Sequence, residues 1–462
     1  MHALKTISKE EIERRLFFDN PWWKNNGRVD KHYQDLPKRS YFPSFYKLVQ
    51  QDINRAIVLM GPRRVGKTVM ALQAIDALLT EGISPYNILY ISLETPLYTG
   101  MALEEMVNMF QDIHQHSRKE TLFIVFDEIQ YLPKWEIHLK SLVDSYPAYQ
   151  FIATGSAAAA LKLKSKESGA GRFTDFLLPP LTFSEYLAFI EKEDTLIATD
   201  GERFSAVDIE ALNAEFVNYL NYGGYPEAVL SITAQEDSAR CIKSDIIDKV
   251  LLRDLPSVYG IADVQELNAL FATIAYNTSN EISLESLSQS SGASKSTIKK
   301  YLTYLEAAFL IKIIHRVDIH AKKFKRATRF KVYLTNPSMR AALFGTIKDD
   351  DEAMGSLVET AIFSQWLHID GGLHYARWNN GEVDIVNTLN NWCVEIKWSD
   401  LVVKDARKLK GFIGYIKQNK ISNNTVTTRT ISQERIIDDT LIEFLPSALY
   451  AYTLGKNILK HL

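Results

Sequence analysis

The run Gly61-Pro62-Arg63-Arg64-Val65-Gly66-Lys67-Thr68 fits the pattern G-x-x-x-x-G-K-[ST] at every fixed position. It follows an apolar strand-like run, AIVLM, and opens a segment of helical character that begins near Lys67 and Val69. A chain with this sequence is constrained to a buried strand, a glycine turn and a helix whose positive N-terminus faces a phosphate. The glycines let backbone N–H groups turn inward, Lys67 has the reach for β and γ phosphates, and Thr68 has a hydroxyl for a divalent cation. A plain glycine turn before a helix would need no Lys-Thr pair. The ligand expected here is ATP with Mg²⁺.

The rest of the first half agrees with that reading. AIVLM, NILYISL, TLFIVF and YQFIATG are short, β-rich runs separated by helical patterns over residues 49–190. Their continuous apolar character suits central parallel strands covered on both faces, so the fold class expected is α/β. The run TLFIVF ends in Asp127-Glu128. An aspartate at the C-terminal end of a buried strand lies at the ligand edge of such a sheet, where it can hold Mg²⁺ through water. Glu128 would then polarise or orient an attacking water, which argues for hydrolysis. Thr154 and Ser156 end the next strand and are placed to sense the γ-phosphate or hold that water; a turn or cap role is the alternative. Arg172 ends the stretch SGAGR and is a candidate arginine finger for a neighbouring subunit of a homo-oligomer, a solvated loop arginine being the plain alternative.

Composition excludes several classes. The 462 residues are too many for one core, and 46% hydrophobic with 24% charged residues is ordinary for a soluble chain. Apolar runs are strand-sized, the charged N-terminal stretch has no signal-peptide core, and two cysteines, Cys241 and Cys393, build neither a disulfide framework nor a metal site. A cytoplasmic chain without membrane contact is expected. The segments expected are a leader over residues 1–48, the α/β core over 49–190, a helical linker over 191–260, a helix–turn–helix with two strands over 261–335, and an α/β domain over 336–462.

In the fourth segment, Leu284–Gln289 reads as a helix that ends at SSGA. Ser294 can cap a second helix, whose apolar residues Ile298, Leu302, Leu305 and Phe309 recur at helical spacing. Between Lys295 and Lys331 stand eleven Lys/Arg against two acids, in a chain whose net charge is -3. That local excess suits phosphate contacts, so nucleic acid, DNA first, is the expected partner; a protein-binding winged helix is the alternative.

The last segment holds a second constellation. Glu382-Val-Asp384-Ile follows an Asn-Asn-Gly turn, and in VEIKW the residues Cys393, Glu395 and Lys397 share one face of a strand. Asp384 and Glu395 on adjacent strands, with Glu359 from the helix GSLVETAIFSQWLH, could share a divalent cation beside Lys397. A cross-strand ion pair on a half-exposed hairpin accounts for the spacing equally well.

With GPRRVGKT, FDEIQYLPKW, ATGS, GRFTDFLLPPLTFSEYL, GGYPEAV, LLRDL, STIKKYLTYLEAAFLI, LVETAIF, GEVDIV and VEIKW in this order, the chain resembles prokaryotic AAA-type ATPases with a C-terminal domain of unknown function. The resemblance covers nearly the whole chain. It implies a P-loop ATPase core, a winged-helix connector and a restriction-endonuclease-like, PD-(D/E)XK-type terminal fold. It maps that fold's metal-binding acids onto Asp384 and Glu395, its lysine onto Lys397 and its helix acid onto Glu359. Many relatives carry an aspartate after the strand that follows the winged helix, where this chain has Thr335-Asn336. The activity implied is ATP hydrolysis coupled to nucleic acid, in repair or defence. A metal-dependent nuclease under ATP control and a nucleotide-switched scaffold are the alternatives.

Overall fold

A computed structural model describes residues 8–24, 27–155, 171–230, 240–323, 328–368, 371–379 and 381–458. The chain divides into two compact units, Met1–Leu178 and Pro179–Leu462.

In the first unit, β1 (Ala56–Met60), β2 (Ile88–Ser92), β3 (Phe123–Asp127), β4 (Gln150–Gly155) and β5 (Phe173–Leu177) form a sheet in the order β2-β3-β4-β1-β5. Every pairing is parallel. β1, β3 and β4 are buried along their whole length, as their unbroken apolar character requires. Parallel pairing places the ends of β1, β3 and β4 at one edge, and the phosphate loop leaves β1 at that edge.

The leader belongs to this unit. Its helix, Lys9–Asp19, starts with a capping box between Ser8 and Glu11. β2 is an edge strand, so one row of its backbone groups has no strand partner. Asn20 supplies one: its Nδ2 donates to Tyr90 O (2.9 Å) and its Oδ1 accepts from Tyr90 N (2.7 Å). The indole N–H groups of Trp22 and Trp23 donate to Ile88 O. Polar leader contacts thus close the sheet edge.

The second unit opens with helices, among which β6 (Ile197–Asp200) and β7 (Arg203–Ala206) form a hairpin that helical expectation over 191–260 did not include. A nine-stranded sheet follows. It comprises β8 (Glu281–Ser283), β9 (Ile311–Val317), β10 (Arg329–Leu334), β11 (Leu373–Trp378), β12 (Gly381–Asn387), β13 (Trp392–Glu395), β14 (Asn423–Thr428), β15 (Gln433–Ile437) and β16 (Thr440–Pro446). The order is β15-β16-β14-β13-β12-β11-β9-β10-β8. The hairpin β9–β10 follows the helices Leu284–Ser291 and Lys295–Ala307, and β11 joins β9 in parallel. One sheet therefore runs through both segments divided at residue 335. From the helix Met354–Ser364 the chain runs through the antiparallel meander β11–β12–β13, then the helix Lys410–Asn419, then β14 parallel to β13.

Asn336 has a packing role. It is fully buried, its Oδ1 accepts from Ser338 N (2.9 Å), and a Cβ on Gly224 would meet its side chain at 2.3 Å. Glycine in GGYPEAV and the short amide of Asn336 are fitted to each other. Among the described residues no helix is long and apolar enough to cross a membrane.

Candidate functional site

The phosphate loop is built for close backbone approach. A Cβ on Gly61 would lie 2.1 Å from Leu178 O, so no other residue fits the turn off β1. Arg64 has φ 61° and Gly66 φ 95°, left-handed geometry that turns successive N–H groups into the concavity. Gly66 then caps the helix Lys67–Thr80 without a side-chain bond, leaving the first N–H groups of that helix available to an anion. Lys67 is buried, and its Nζ donates to Gly61 O (3.1 Å) and Pro62 O (2.7 Å). Pro62, Arg63, Val65 and Val69 complete the loop, with Val65 fully buried beneath it. Arg39, a leader residue that sequence reasoning missed, is buried and donates to Val65 O (2.7 Å). No local motif marks it, since its partner is a backbone carbonyl.

Asp127, at the end of β3, is buried and, among the described residues, accepts only from hydroxyls. Thr68 donates to its Oδ2 (2.9 Å), Tyr90 to the same oxygen (2.8 Å), and Thr154 to Oδ1 through a short contact. Among the described residues no ion pair reaches it. Burial, and then the charge of neighbouring Glu128, push its carboxyl above its ordinary range, against the three hydroxyls. Glu128 sits at φ 55°, its N–H donating to Thr154 Oγ1 (3.1 Å) and its carboxylate accepting from Gln130. Thr154 thus fixes both acids from β4, a positioning role within the sensing-or-cap alternatives. Loop, hydroxyl and carboxylate have the donor set for MgATP: backbone N–H groups and Lys67 for phosphate oxygens, Thr68 and Asp127 for the divalent cation.

Ser156 lies outside the described residues. Arg172 stands beside the start of β1, its carbonyl accepting from Ala56 N, and pairs with Asp144. That is the sheet end opposite the phosphate loop, so the structure does not bring Arg172 to Lys67 or Asp127 of its own chain.

The second constellation does assemble. Glu359, Asp384, Glu395 and Lys397 line one cavity of about 240 Å³, together with Glu382 and Lys331. Lys331 was counted at sequence level in the basic segment; it is instead 3% exposed, with Nζ 2.9 Å from Glu359, 3.0 Å from Glu382 and 3.5 Å from Asp384. Tyr333 donates to Glu359 Oε1 (2.6 Å). Lys397 reaches Glu395 Oε1 (2.8 Å) and Asp384 Oδ2 (3.3 Å), and Ile396 N donates to Asp384 Oδ2 (2.8 Å). Burial alone would raise the Asp384 carboxyl; Lys397 and then Lys331 overcome it and hold it below the ordinary range. Glu395 goes the other way, pushed up to about 8 by burial and by Asp384. Among the described residues its Oε2 has no hydrogen-bond partner. Among the described residues no three acidic, histidine or cysteine side chains converge in metal-holding geometry.

The helix–turn–helix closes at its predicted caps, but the second helix ends at Ala307, so Phe309, at φ 56°, lies beyond it and not on its apolar stripe. Gly292 ends the first helix at φ 75°, and Ser294 Oγ accepts from Thr297 N (3.1 Å) to start the second. The basic excess is thinner than the count. Lys295 pairs with Glu285, Lys312 with Glu306, and Arg316 and Arg329 with Glu281. Lys325 and Arg326 lie outside the described residues. Lys299, Lys300, Lys322 and Lys323 are exposed and make no ion pair among the described residues.

Sheet order and loop together define a parallel α/β unit with a phosphate-binding loop, and residues 53–187 match the family described as AAA domain. Residues 213–350 match a domain of unknown function, DUF8612. The chain is similar to an uncharacterised protein of Haemophilus influenzae, 26% identical over 348 residues, which are 74% of this chain and 81% of the relative. It is also similar to an uncharacterised protein of Methanocaldococcus jannaschii, 25% identical over 335 residues, 68% of each chain. Among solved structures, a Walker-type ATPase of Pyrococcus abyssi matches at 18% identity over 69% of this chain and 97% of that one, with a TM-score of 0.41.

Proposed function

We propose that this chain hydrolyses ATP with Mg²⁺ and couples hydrolysis to binding or remodelling of nucleic acid, DNA first. The observation that carries the proposal is the 2.9 Å bond from Thr68, on the phosphate loop, to Asp127 at the end of β3. In this reading it joins the phosphate loop to the acid that would share the Mg²⁺ with it, across the sheet edge. Bound MgATP would supply the transferable phosphoryl group and the divalent charge that screens it. Gly61 to Thr68 and Val69 would hold the phosphates; Lys67, which donates to loop carbonyls, would donate to phosphate oxygens instead; Thr68 and Asp127 would hold the cation. Glu128, locked by Thr154, orients water. Arg172, at the far end of the sheet, can act only on a neighbouring subunit's site, which makes the ATPase a homo-oligomer in this reading.

The DNA part rests on the second unit. Helices, hairpin and β8 follow winged-helix order, with Lys299 and Lys300 on the exposed face of the helix that such folds lay on nucleic acid. The succession of helix, three-stranded meander, helix and parallel strand is the order of a PD-(D/E)XK-type core, a fold that also serves in binding without cutting.

ATP turnover measured with single-stranded, duplex and branched DNAs tests both parts. Wild type should release phosphate, at least one DNA should raise the rate, and Lys67→Ala should abolish it. Phosphate release equal to that of Lys67→Ala would end the ATPase reading. Turnover that no DNA binds or stimulates would end the coupling and favour the scaffold.

A further inference from the structure

The cavity between the helix Met354–Ser364 and the strands β10, β12 and β13 has the acids of a metal-dependent nuclease and a different cation. Lys331 Nζ lies within 3.5 Å of Glu359, Glu382 and Asp384, at hydrogen-bond distances to oxygens that a nuclease would turn toward its metal. Asp384 has no oxygen to spare, since Oδ1 faces Lys331 while Oδ2 accepts from Ile396 N and Lys397. Glu359 Oε1 accepts from both Lys331 and Tyr333. Among the described residues Glu395 Oε2 has no hydrogen-bond partner, and Lys331 and Tyr333 leave Glu359 Oε2 to it, so the acids offer a divalent ion two oxygens on separate residues and no oxygen of Asp384. An incoming dication would also stand against two ammonium groups, Lys331 and Lys397, which repel it at short range.

Lys331 cannot swing out without loss. Its side chain is 4% exposed, with its ammonium near the face of Tyr375. Leaving would strand several buried carboxylates without a counter-charge.

We propose that Lys331 is the resident cation of this cavity, so that the C-terminal unit is a metal-free, lysine-bridged carboxylate cluster and not a metal-dependent cleavage centre. The helix acid Glu359 and the strand acids Glu382 and Asp384 are tied to one another through Lys331.

Mn²⁺ uptake by the nucleotide-free full-length chain, followed by loss of the free-ion paramagnetic resonance signal, tests this without nucleotide or DNA. It therefore stands or falls apart from the ATPase reading. Wild type and Asp384→Asn should take up the same amount of Mn²⁺. Lys331→Met should take up one ion more per chain, and the double variant Lys331→Met/Asp384→Asn should lose it again. Submillimolar uptake by wild type that Asp384→Asn removes would overturn the proposal, as would a folded Lys331→Met that gains no ion. If Lys331→Met does not fold, wild type against Asp384→Asn decides.

Discussion

Asp127 on β3 and Asp384 on β12 are both buried carboxylates at functional-looking positions, and their surroundings differ in kind. Asp127 is ringed by neutral hydroxyls from Tyr90, Thr154 and Thr68. Asp384 is ringed by two ammonium groups and an amide N–H. Hydroxyls orient a carboxylate but leave its charge uncompensated, so the site still gains by accepting a cation. Ammonium partners supply that compensation within the fold. The first arrangement suits a ligand that comes and goes, and the second suits permanent structure.

The largest expected effect follows from substituting each aspartate. Asp127→Asn should lower ATP turnover roughly 10²–10³-fold, the scale of removing one preorganised charged or polar group from a reacting site. It should also raise the unfolding midpoint of the nucleotide-free protein at neutral pH. The sign follows from the direction of the shift: a folded pKa above the unfolded one favours folding below the unfolded value and loses that contribution as pH rises through the folded value. Asp384 is shifted down, so its contribution is present above the unfolded pKa and lost as pH falls through the folded one. Asp384→Asn should therefore lower the midpoint at neutral pH and leave ATP turnover in place. Equal turnover losses in the two variants would erase the contrast.

Lys331→Met comes next. Removing one partner from a buried ion cluster costs about 3–5 kcal/mol, read by chemical denaturation. Adding Glu359→Gln should restore part of the loss, because the two changes share one interaction. Additive losses would mean that Lys331 and Glu359 are not coupled.

The phosphate loop was legible because its parts are contiguous: strand, turn, helix and the Lys-Thr pair occur within one short run. Asp127 and Glu128 were legible as the end of an apolar strand. Glu359, Asp384, Glu395 and Lys397 were placed together by alternation and by family resemblance, and they do line one cavity. Lys331 was misplaced for a physical reason. Counting charge along the chain treats every lysine as solvated, whereas β10 is an interior strand of the sheet, between β9 and β8. The available signal was alternation in RFKVYL, which puts Lys331 and Tyr333 on one face of that strand, where a lysine needs a buried acid. Its partners come from more than twenty residues downstream, and only the assembled sheet brings them close. Arg39 and Asn20 escaped similarly, since both bond to backbone atoms that a sequence does not distinguish.

Smaller effects sharpen the contrast further. Glu395 holds its proton to about 8 in the fold against 4.5 as its ordinary value, so wild type loses stability progressively as pH rises between those values. Glu395→Gln cannot titrate there. Its unfolding midpoint should gain on wild type across that window and run parallel above it; a difference independent of pH would mean that Glu395 is ionised throughout. At the hydroxyl-ringed site the matching probe is Tyr90→Phe, which removes the 2.8 Å bond to Asp127 and leaves the ring. A hydroxyl bond to a carboxylate contributes roughly 1.5–3 kcal/mol, and the Asp127 carboxylate keeps Thr68 and Thr154. Tyr90 also joins the leader to the site, its backbone paired with Asn20 while its hydroxyl meets Asp127. Tyr90→Phe should therefore shift the Mg²⁺ dependence of turnover, with a stability loss no larger than that one bond. Asn20→Ala, which leaves the hydroxyl in place, should lower stability with Mg²⁺ dependence near wild type. If both variants shift Mg²⁺ dependence alike, the leader sets the position of Asp127 through the strand itself, and the hydroxyl contact is incidental.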